Sequence, residues 1–306
     1  LIVPQPSTAP VILCGATGAL GRRIAHHLLL RGAAVRALVR PGSRTGVPEL
    51  RGATLVPVNY EDRGSLLQAC SSGGCIVSAL SGLEDVIVDT QSRLLDAAVK
   101  AGVPRFIPSD YCIDYTRLLP GGNRNLDLRR RFAARLDAAP LRATGILNGM
   151  FADLLTGQAP VVLRKQRRIL YWGSADVPLD FTTMEDTAAY TAAAALDESA
   201  PRYLRIAGDV RTIRQLQAVA ASVFGEEFRL LRPGGLGMLR TLIRVTRFLA
   251  PARKEVFPPW QGMQYLHDML SGQAKLETLD NDRYSDLTWM PVAEVLRAGN
   301  AGNAYS

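Results

Sequence analysis

The sequence of 306 residues predicts a doubly wound α/β fold: an open parallel sheet with helices on both faces, followed by a smaller C-terminal α/β lobe. Three observations lead there. Short apolar runs alternate with helix-period stretches through about the first 210 residues. Those runs are short and rich in β-branched or aliphatic residues, as buried parallel strands are. The first of them leads into a glycine-rich turn and then an amphipathic helix, VILCGATGALGRRIAHHLLLRG. Repeated β-α units need right-handed crossovers, and these wind such a sheet in both directions.

The expected strands are residues 11–13, 34–39, 54–58, 75–80, 105–108 and 143–147, with helices near 20–31, 62–71, 84–101 and 123–138. Leu94, Leu95, Ala98 and Val99 give the third helix an apolar face. Beyond about residue 150 the rhythm loosens. VVLRKQRRILYWG reads as a hairpin with a basic turn at Arg164–Arg168, and a helix starts at Thr182 or Thr183 with Glu185 and Asp186 in its positive first turn. Residues 205–207 read as a late strand, and the tail from 210 as helices interrupted at RPGG (232–235) and FPPW (257–260). The expected organisation is a nucleotide-binding domain over 9–152, completed by about 176–208, and a substrate lobe from 153–175 and 209–306.

Composition narrows the function. Apolar residues make up 47% and charged residues 21%, and 27 Gly and 18 Pro show no bias, which excludes fibrous and disordered classes. The net charge of +8 is spread along the chain, so it favours anionic ligands rather than nucleic acid. Cys14, Cys70, Cys75 and Cys112 lack metal-ligand spacing and read as reduced thiols; no metal is expected. With no signal-peptide pattern and no apolar run of spanning length, a soluble, cytoplasmic protein without a membrane partner is expected, and homo-oligomerisation is left open.

The glycine turn carries the chemistry. Gly15 permits the tight turn, Gly18 lets backbone approach a pyrophosphate, and Gly21 lets helix and strand pack closely. Phosphates would then sit on N–H groups around Thr17, Gly18, Ala19, Leu20 and Gly21, at the positive end of the helix. An NAD site places Asp or Glu at the end of the second strand, whereas Arg40 stands there, with Arg44 close behind. A guanidinium pairs with a 2′-phosphate, so the cofactor is read as NADP(H). Ser78 and Leu80, ending the fourth strand, belong near the nicotinamide-side ribose.

GATGALG (15–21), LVRP (38–41), VPRFIPSDY (103–111), LRATGILNGMFAD (141–153) and TTMEDTAAY (182–190) occur together in this order. The combination resembles the NmrA-like and isoflavone-reductase-like branch of the atypical short-chain dehydrogenases, and RYSDLTWMPVAEVL (283–296) is similar to that family's terminal segment. The resemblance implies a Rossmann domain, NADP(H) and a small substrate lobe. Its members include reductases of aromatic or unsaturated small molecules and redox-sensing binders without turnover. The chain also departs from the pattern. It has no Tyr-x-x-x-Lys and no lysine between Lys100 and Lys165, where the reductases carry one on the helix after the PSEF-like loop. Arg129 or Arg131 stands near that position.

Hydride transfer to a substrate leaves negative charge to be stabilised and protonated. The loop PSDYCIDY leaves the C-terminal end of the fifth strand, where such sheets bind ligands. Tyr111 is the expected proton donor, a reading that competes with pocket lining and plain packing. Asp110 stands beside it, and Arg129 would lower its pKa or hold the substrate. Asn125, Asn148 and Phe151 are the expected substrate contacts, and His267 is a weaker one. MLRTLIRVTRFLA (238–250) sets Arg240, Arg244 and Arg247 against Leu239, Leu242, Ile243 and Leu249, suiting a lid or subunit contact, or an anionic membrane surface. The functional expectation is an NADP(H)-dependent reductase of a small, aromatic or unsaturated substrate. A silent NADP(H)-binding regulator is the alternative, and a sugar-nucleotide epimerase is disfavoured by the missing Tyr-x-x-x-Lys.

Overall fold

The computed structural model describes residues 9–43 and 46–303. The chain divides into two compact units. The first comprises the chain up to Asp110 with Leu128–Ile146 and Thr187–Leu204; the second comprises Tyr111–Asp127, Leu147–Asp186 and the chain from Arg205.

In the first unit, β1 (Val11–Cys14), α1 (Ala19–Leu30), β2 (Val35–Val39), β3 (Thr54–Pro57), α2 (Arg63–Cys70), β4 (Cys75–Ser78), α3 (Gln91–Lys100), β5 (Arg105–Ile107), α4 (Arg124–Asp137) and β6 (Arg142–Ala143) follow in order, α4 beginning in the other unit's segment. The sheet runs β3-β2-β1-β4-β5-β6, and every pair in it is parallel. This is the doubly wound Rossmann order, and strand order reverses between β1 and β4, where Cys14 lies opposite Ser78. Ile12, Ile76, Leu94, Phe106 and Leu136 pack as one core without solvent contact, and the Phe106 and Phe132 rings lie 5.8 Å apart.

Three boundaries differ from the sequence expectation, each for a local reason. The fourth strand ends at Ser78 rather than residue 80, and Ala79 N–H turns to donate to Cys14 O at 2.9 Å. The predicted strand 143–147 breaks at Thr144, β6 pairing with β5 and β7 (Gly145–Leu147) with a later strand. The helix expected over 84–101 opens with wider π-helical turns at Asp85–Thr90 before α3.

The remaining elements are β8 (Met150–Phe151), β9 (Val162–Leu163), β10 (Arg168–Leu170), β11 (Leu179–Thr182), α5 (Met184–Leu196), β12 (Tyr203–Arg205), β13 (Asp209–Arg211), α6 (Ile213–Phe224), β14 (Arg229–Leu231), α7 (Leu236–Leu249), α8 (Pro259–Leu270) and α9 (Val292–Asn303). β9 and β10 form the expected hairpin. β12, the partner of β7, ends where the late strand was expected to begin. Thr183, not Thr182, caps α5, its hydroxyl accepting from Asp186 N–H at 2.9 Å. At the other end of α5, the buried Arg105 guanidinium donates to Ala194 O and Ala195 O at 2.9 Å, where the helix dipole favours a cation. Thr212 and Gln215 close a capping box on α6, which ends at left-handed Gly225. Among the described residues, no helix is long and apolar enough to cross a membrane.

Candidate functional site

The nucleotide edge of the first unit is built by backbone. Gly15 has φ +78°, and a Cβ there would lie 2.6 Å from Ala79 O, so glycine is required twice over. Gly18 N–H donates back to Gly15 O at 3.0 Å, closing the turn. At Gly21 a Cβ would come within 2.7 Å of the Gly15 carbonyl carbon and closer still to its oxygen. Gly18 is different: its φ of −76° suits any residue, and a Cβ would sit 3.3 Å from Gly15 O, pointing out of an exposed turn. No side chain caps α1 and no acid occupies its first turn, so the N-terminus of this helix is left positive. Thr17, Gly18 and Ala19 are exposed, and Leu20 is half-buried. These residues fit a pyrophosphate cradle.

Arg40 is exposed at the end of β2. Its guanidinium lies close enough to Tyr60 to favour the phenolate, though burial and the neighbouring Cys14 push that phenol well above its usual value. Arg44 lies outside the described residues. Arg36 is occupied elsewhere, donating to Ala69 O and Ser71 O at the end of α2. Arg22 pairs with Glu49 at 3.6 Å. Ser78 is fully buried beside the switch point, and its hydroxyl has no hydrogen-bond partner among the described residues.

The loop after β5 is anchored in part by Gln91, a residue the sequence does not single out. Ser109 Oγ donates to Leu80 O at 2.6 Å, and Ser109 N–H donates to Gln91 Oε1 at 3.0 Å. Gln91, itself buried, donates from Nε2 to Ile87 O, so the π-helical start of α3 fixes this loop. Asp110 is buried, its carbonyl oxygen accepting from Arg129 Nε at 2.8 Å. A Cβ at Gly145 would lie 2.6 Å from Asp110 Oδ2; the glycine gives that carboxylate its room, and a glycine inside a strand was the available signal. The two arginines left open by sequence now separate, since Arg131 pairs with Glu84 at 2.8 Å in solvent while Arg129 reaches the loop.

Tyr111 begins the second unit with a buried side chain and φ +25°, a conformation a non-glycine residue holds only under constraint. Cys112 forms a bridge to Leu147, and its carbonyl accepts from Asn148 N–H at 3.0 Å, which places the Tyr111 loop beside Asn148. The Asn148 side chain is fully buried, and neither its oxygen nor its nitrogen has a hydrogen-bond partner among the described residues. Its backbone is held by Thr182 Oγ1, which donates to Asn148 O at 2.8 Å. Asn125 is engaged internally: Nδ2 donates to Val256 O at 2.8 Å and Oδ1 accepts from Arg124 Nε at 3.0 Å. Phe151 is half-buried on β8, and His267 lies on α8 with Nδ1 3.4 Å from Asp268 Oδ1. Asp114, also in the loop, is spent on Arg205 at 2.8 Å and on Thr116.

All four cysteines are buried, and none is in a disulfide. Burial pushes the Cys70 and Cys75 thiols up to about 11 and Cys14 higher still. A cleft of about 480 Å³ between α2, α3 and α4, lined by Arg63, Leu67, Lys100 and Arg135 among others, contains none of the predicted site residues.

Known proteins agree with this frame. The profile of the NmrA-like family matches residues 7–233. The chain belongs to the NmrA-like family. Among its relatives, pinoresinol reductase 1 of Arabidopsis thaliana is 29% identical over 60% of the chain, which spans 63% of that protein's length. The bifunctional pinoresinol-lariciresinol reductase of Linum album is 24% identical over 96% of both chains. The solved binary complex of leucoanthocyanidin reductase with NADPH from Vitis vinifera superimposes with a TM-score of 0.78 at 18% identity, covering 96% of this chain and 100% of that one. The structural likeness establishes the shared fold of this NmrA-like chain.

Proposed function

We propose that this NmrA-like protein is an NADPH-dependent reductase of a small aromatic or unsaturated molecule. The observation that carries the reading is the open β1–α1 turn at the strand-order reversal, in which Gly15 and Gly21 clear backbone space and Gly18 leaves the turn exposed, while Arg40 stands just past β2. The reductase names of its relatives support it.

In this reading the first-turn amides of α1 hold the pyrophosphate, Arg40 holds the 2′-phosphate, and Ser78 and Leu80 face the nicotinamide-side ribose. NADPH, when bound, supplies the hydride. Asn148 orients the substrate with a donor and an acceptor that no described residue uses. Tyr111 delivers the proton from its hydroxyl, and Arg129 supplies positive charge toward the developing anion. The half-buried Phe151 offers an apolar face for an unsaturated substrate.

The test is NADPH oxidation, followed at the nicotinamide absorbance, with quinones, aryl carbonyls and conjugated enones. A saturable rate with one class identifies a reductase. One observation favours a second reading, a nucleotide-sensing binder: α4 carries no lysine. Tight NADPH binding with no oxidation of any class would select it.

A further inference from the structure

α7 and the segment after it expose an apolar and basic surface that the reaction does not use. On α7, Leu239 and Ile243 face the core, but Met238, Leu242, Val245 and Leu249 lie on a second stripe at helical spacing and are exposed. Phe248 is 85% exposed beside that stripe, Leu249 74%, and Phe257, just before α8, 61%. The sequence groups Leu242 and Leu249 with Leu239 and Ile243 on one apolar stripe; the helix instead has two apolar arcs, and only one is buried. Isolated exposed apolar residues are ordinary, whereas a run of six large ones within twenty residues marks a contact surface.

Charge identifies the partner. Between Glu227 and Glu255 there is no acidic residue, while Arg229, Arg232, Arg240, Arg244, Arg247, Arg253 and Lys254 are all cationic. Arg240, Arg244 and Arg247 occupy the part of the exposed arc of α7 next to its apolar part. A two-fold contact with a second copy would set these cations against an identical set. A surface with an apolar interior and anionic headgroups satisfies both halves of the arc.

We propose that α7 and residues 250–257 form a peripheral docking surface for an anionic lipid bilayer. Phe248, Leu249 and Phe257 enter the acyl boundary, and the arginines of α7 lie among the headgroups. The test is flotation of the full chain with phosphatidylcholine vesicles, with and without phosphatidylserine. Binding is expected only with phosphatidylserine and is weakened by salt. Charge reversal at Arg244→Glu removes and inverts one charge, a loss of roughly 25-fold in partitioning at about fivefold per charge. Phe248→Ser with Leu249→Ser costs at least about tenfold through lost apolar burial. Both changes fall on exposed side chains, so an unchanged melting temperature verifies the fold. Three results would overturn the assignment: no flotation with phosphatidylserine, equal flotation with both vesicles, or variants that bind like the parent. A dimer dissolved by the same variants, in a chain that ignores lipid, would give this face to a second copy instead.

Discussion

Gly18 and Gly21 occupy one turn, yet the structure gives them separable jobs, and two alanine substitutions divide them. At Gly21 the added methyl meets the backbone of Gly15, 2.7 Å from its carbonyl carbon and closer to its oxygen, against an ordinary contact distance that begins at 3.4 Å. No flexible side chain is available to yield, so α1 must withdraw from β1 by roughly 0.7 Å or more, at a cost of about 1–3 kcal/mol as overpacking. The gain in helix propensity from alanine, about 1 kcal/mol, offsets part of this. At Gly18 the backbone suits alanine and the nearest atom is 3.3 Å away, so Gly18→Ala should leave stability unchanged or raise it by about 0.4–1 kcal/mol through the unfolded chain. Its methyl points out of the turn where the pyrophosphate would approach. Thermal melting and NADPH titration by fluorescence read the two effects. Gly21→Ala lowers the melting temperature by several degrees, at about 2–4 °C per kcal/mol for a domain of this size. Gly18→Ala keeps the melting temperature and weakens NADPH binding at least about tenfold. Full-strength NADPH binding by Gly18→Ala would remove the cofactor from this turn and leave the glycines to packing alone.

Three further outcomes follow from the same geometry. Arg40→Glu replaces a charge-assisted contact to the 2′-phosphate with repulsion, and the ratio of NADPH to NADH affinities should fall by about 100-fold or more; an unchanged ratio would move the 2′-phosphate site elsewhere. Asn148→Leu removes two buried polar atoms that lack partners, so the melting temperature should hold or rise by an amount equivalent to about 1–3 kcal/mol while substrate KM rises; a lower melting temperature would mean that the amide is needed by the fold itself. Cys70 and Cys75 titrate near 11 in the fold against 9.0 when unfolded. Because the folded value is the higher one, their contribution is complete below pH 9 and is lost as pH rises toward 11, up to about 2–3 kcal/mol each. Urea midpoints at pH 8 and pH 10.5 measure it, and equal midpoints would refute it.

The repeating β-α rhythm was legible because the central parallel strands are rich in aliphatic residues and the crossover helices α1 and α3 bury one apolar face. What the pattern could not mark was where backbone leaves the ladder. Ala79 and Leu80 continue the apolar run of β4, but Ala79 N–H turns to Cys14 and Leu80 O receives Ser109. Period alone also could not choose between two apolar arcs on one helix: Leu239 and Leu242 are equally hydrophobic, and only tertiary packing buries the first. Gln91 gave no signal, because its use depends on a loop that arrives eighteen residues later in sequence. Arg129 and Arg131 are two positions apart on α4 and face different ways; the acid at Glu84 claims one of them, a pairing invisible without the fold.

That separation bears on the lysine that the family resemblance implies for α4 and that this helix lacks. Lys275 is the lysine with a buried partner, and it is committed, with Nζ 2.5 Å from Asp180 Oδ1 and donating to Leu276 O. The proposed function gives the proton step to Tyr111, with Arg129 as fixed charge rather than as acid, because a guanidinium does not titrate in the working range. Two variants test the division. Tyr111→Phe should lower kcat by about 100-fold or more while the NADPH dissociation constant stays within about twofold. Arg129→Lys introduces a titratable group at this position, so its kcat–pH profile should acquire an alkaline limb that the parent lacks. If Tyr111→Phe turns over normally and Arg129→Lys leaves the profile unchanged, the proton comes from neither residue, and the loop after β5 serves to shape the site rather than to do its chemistry.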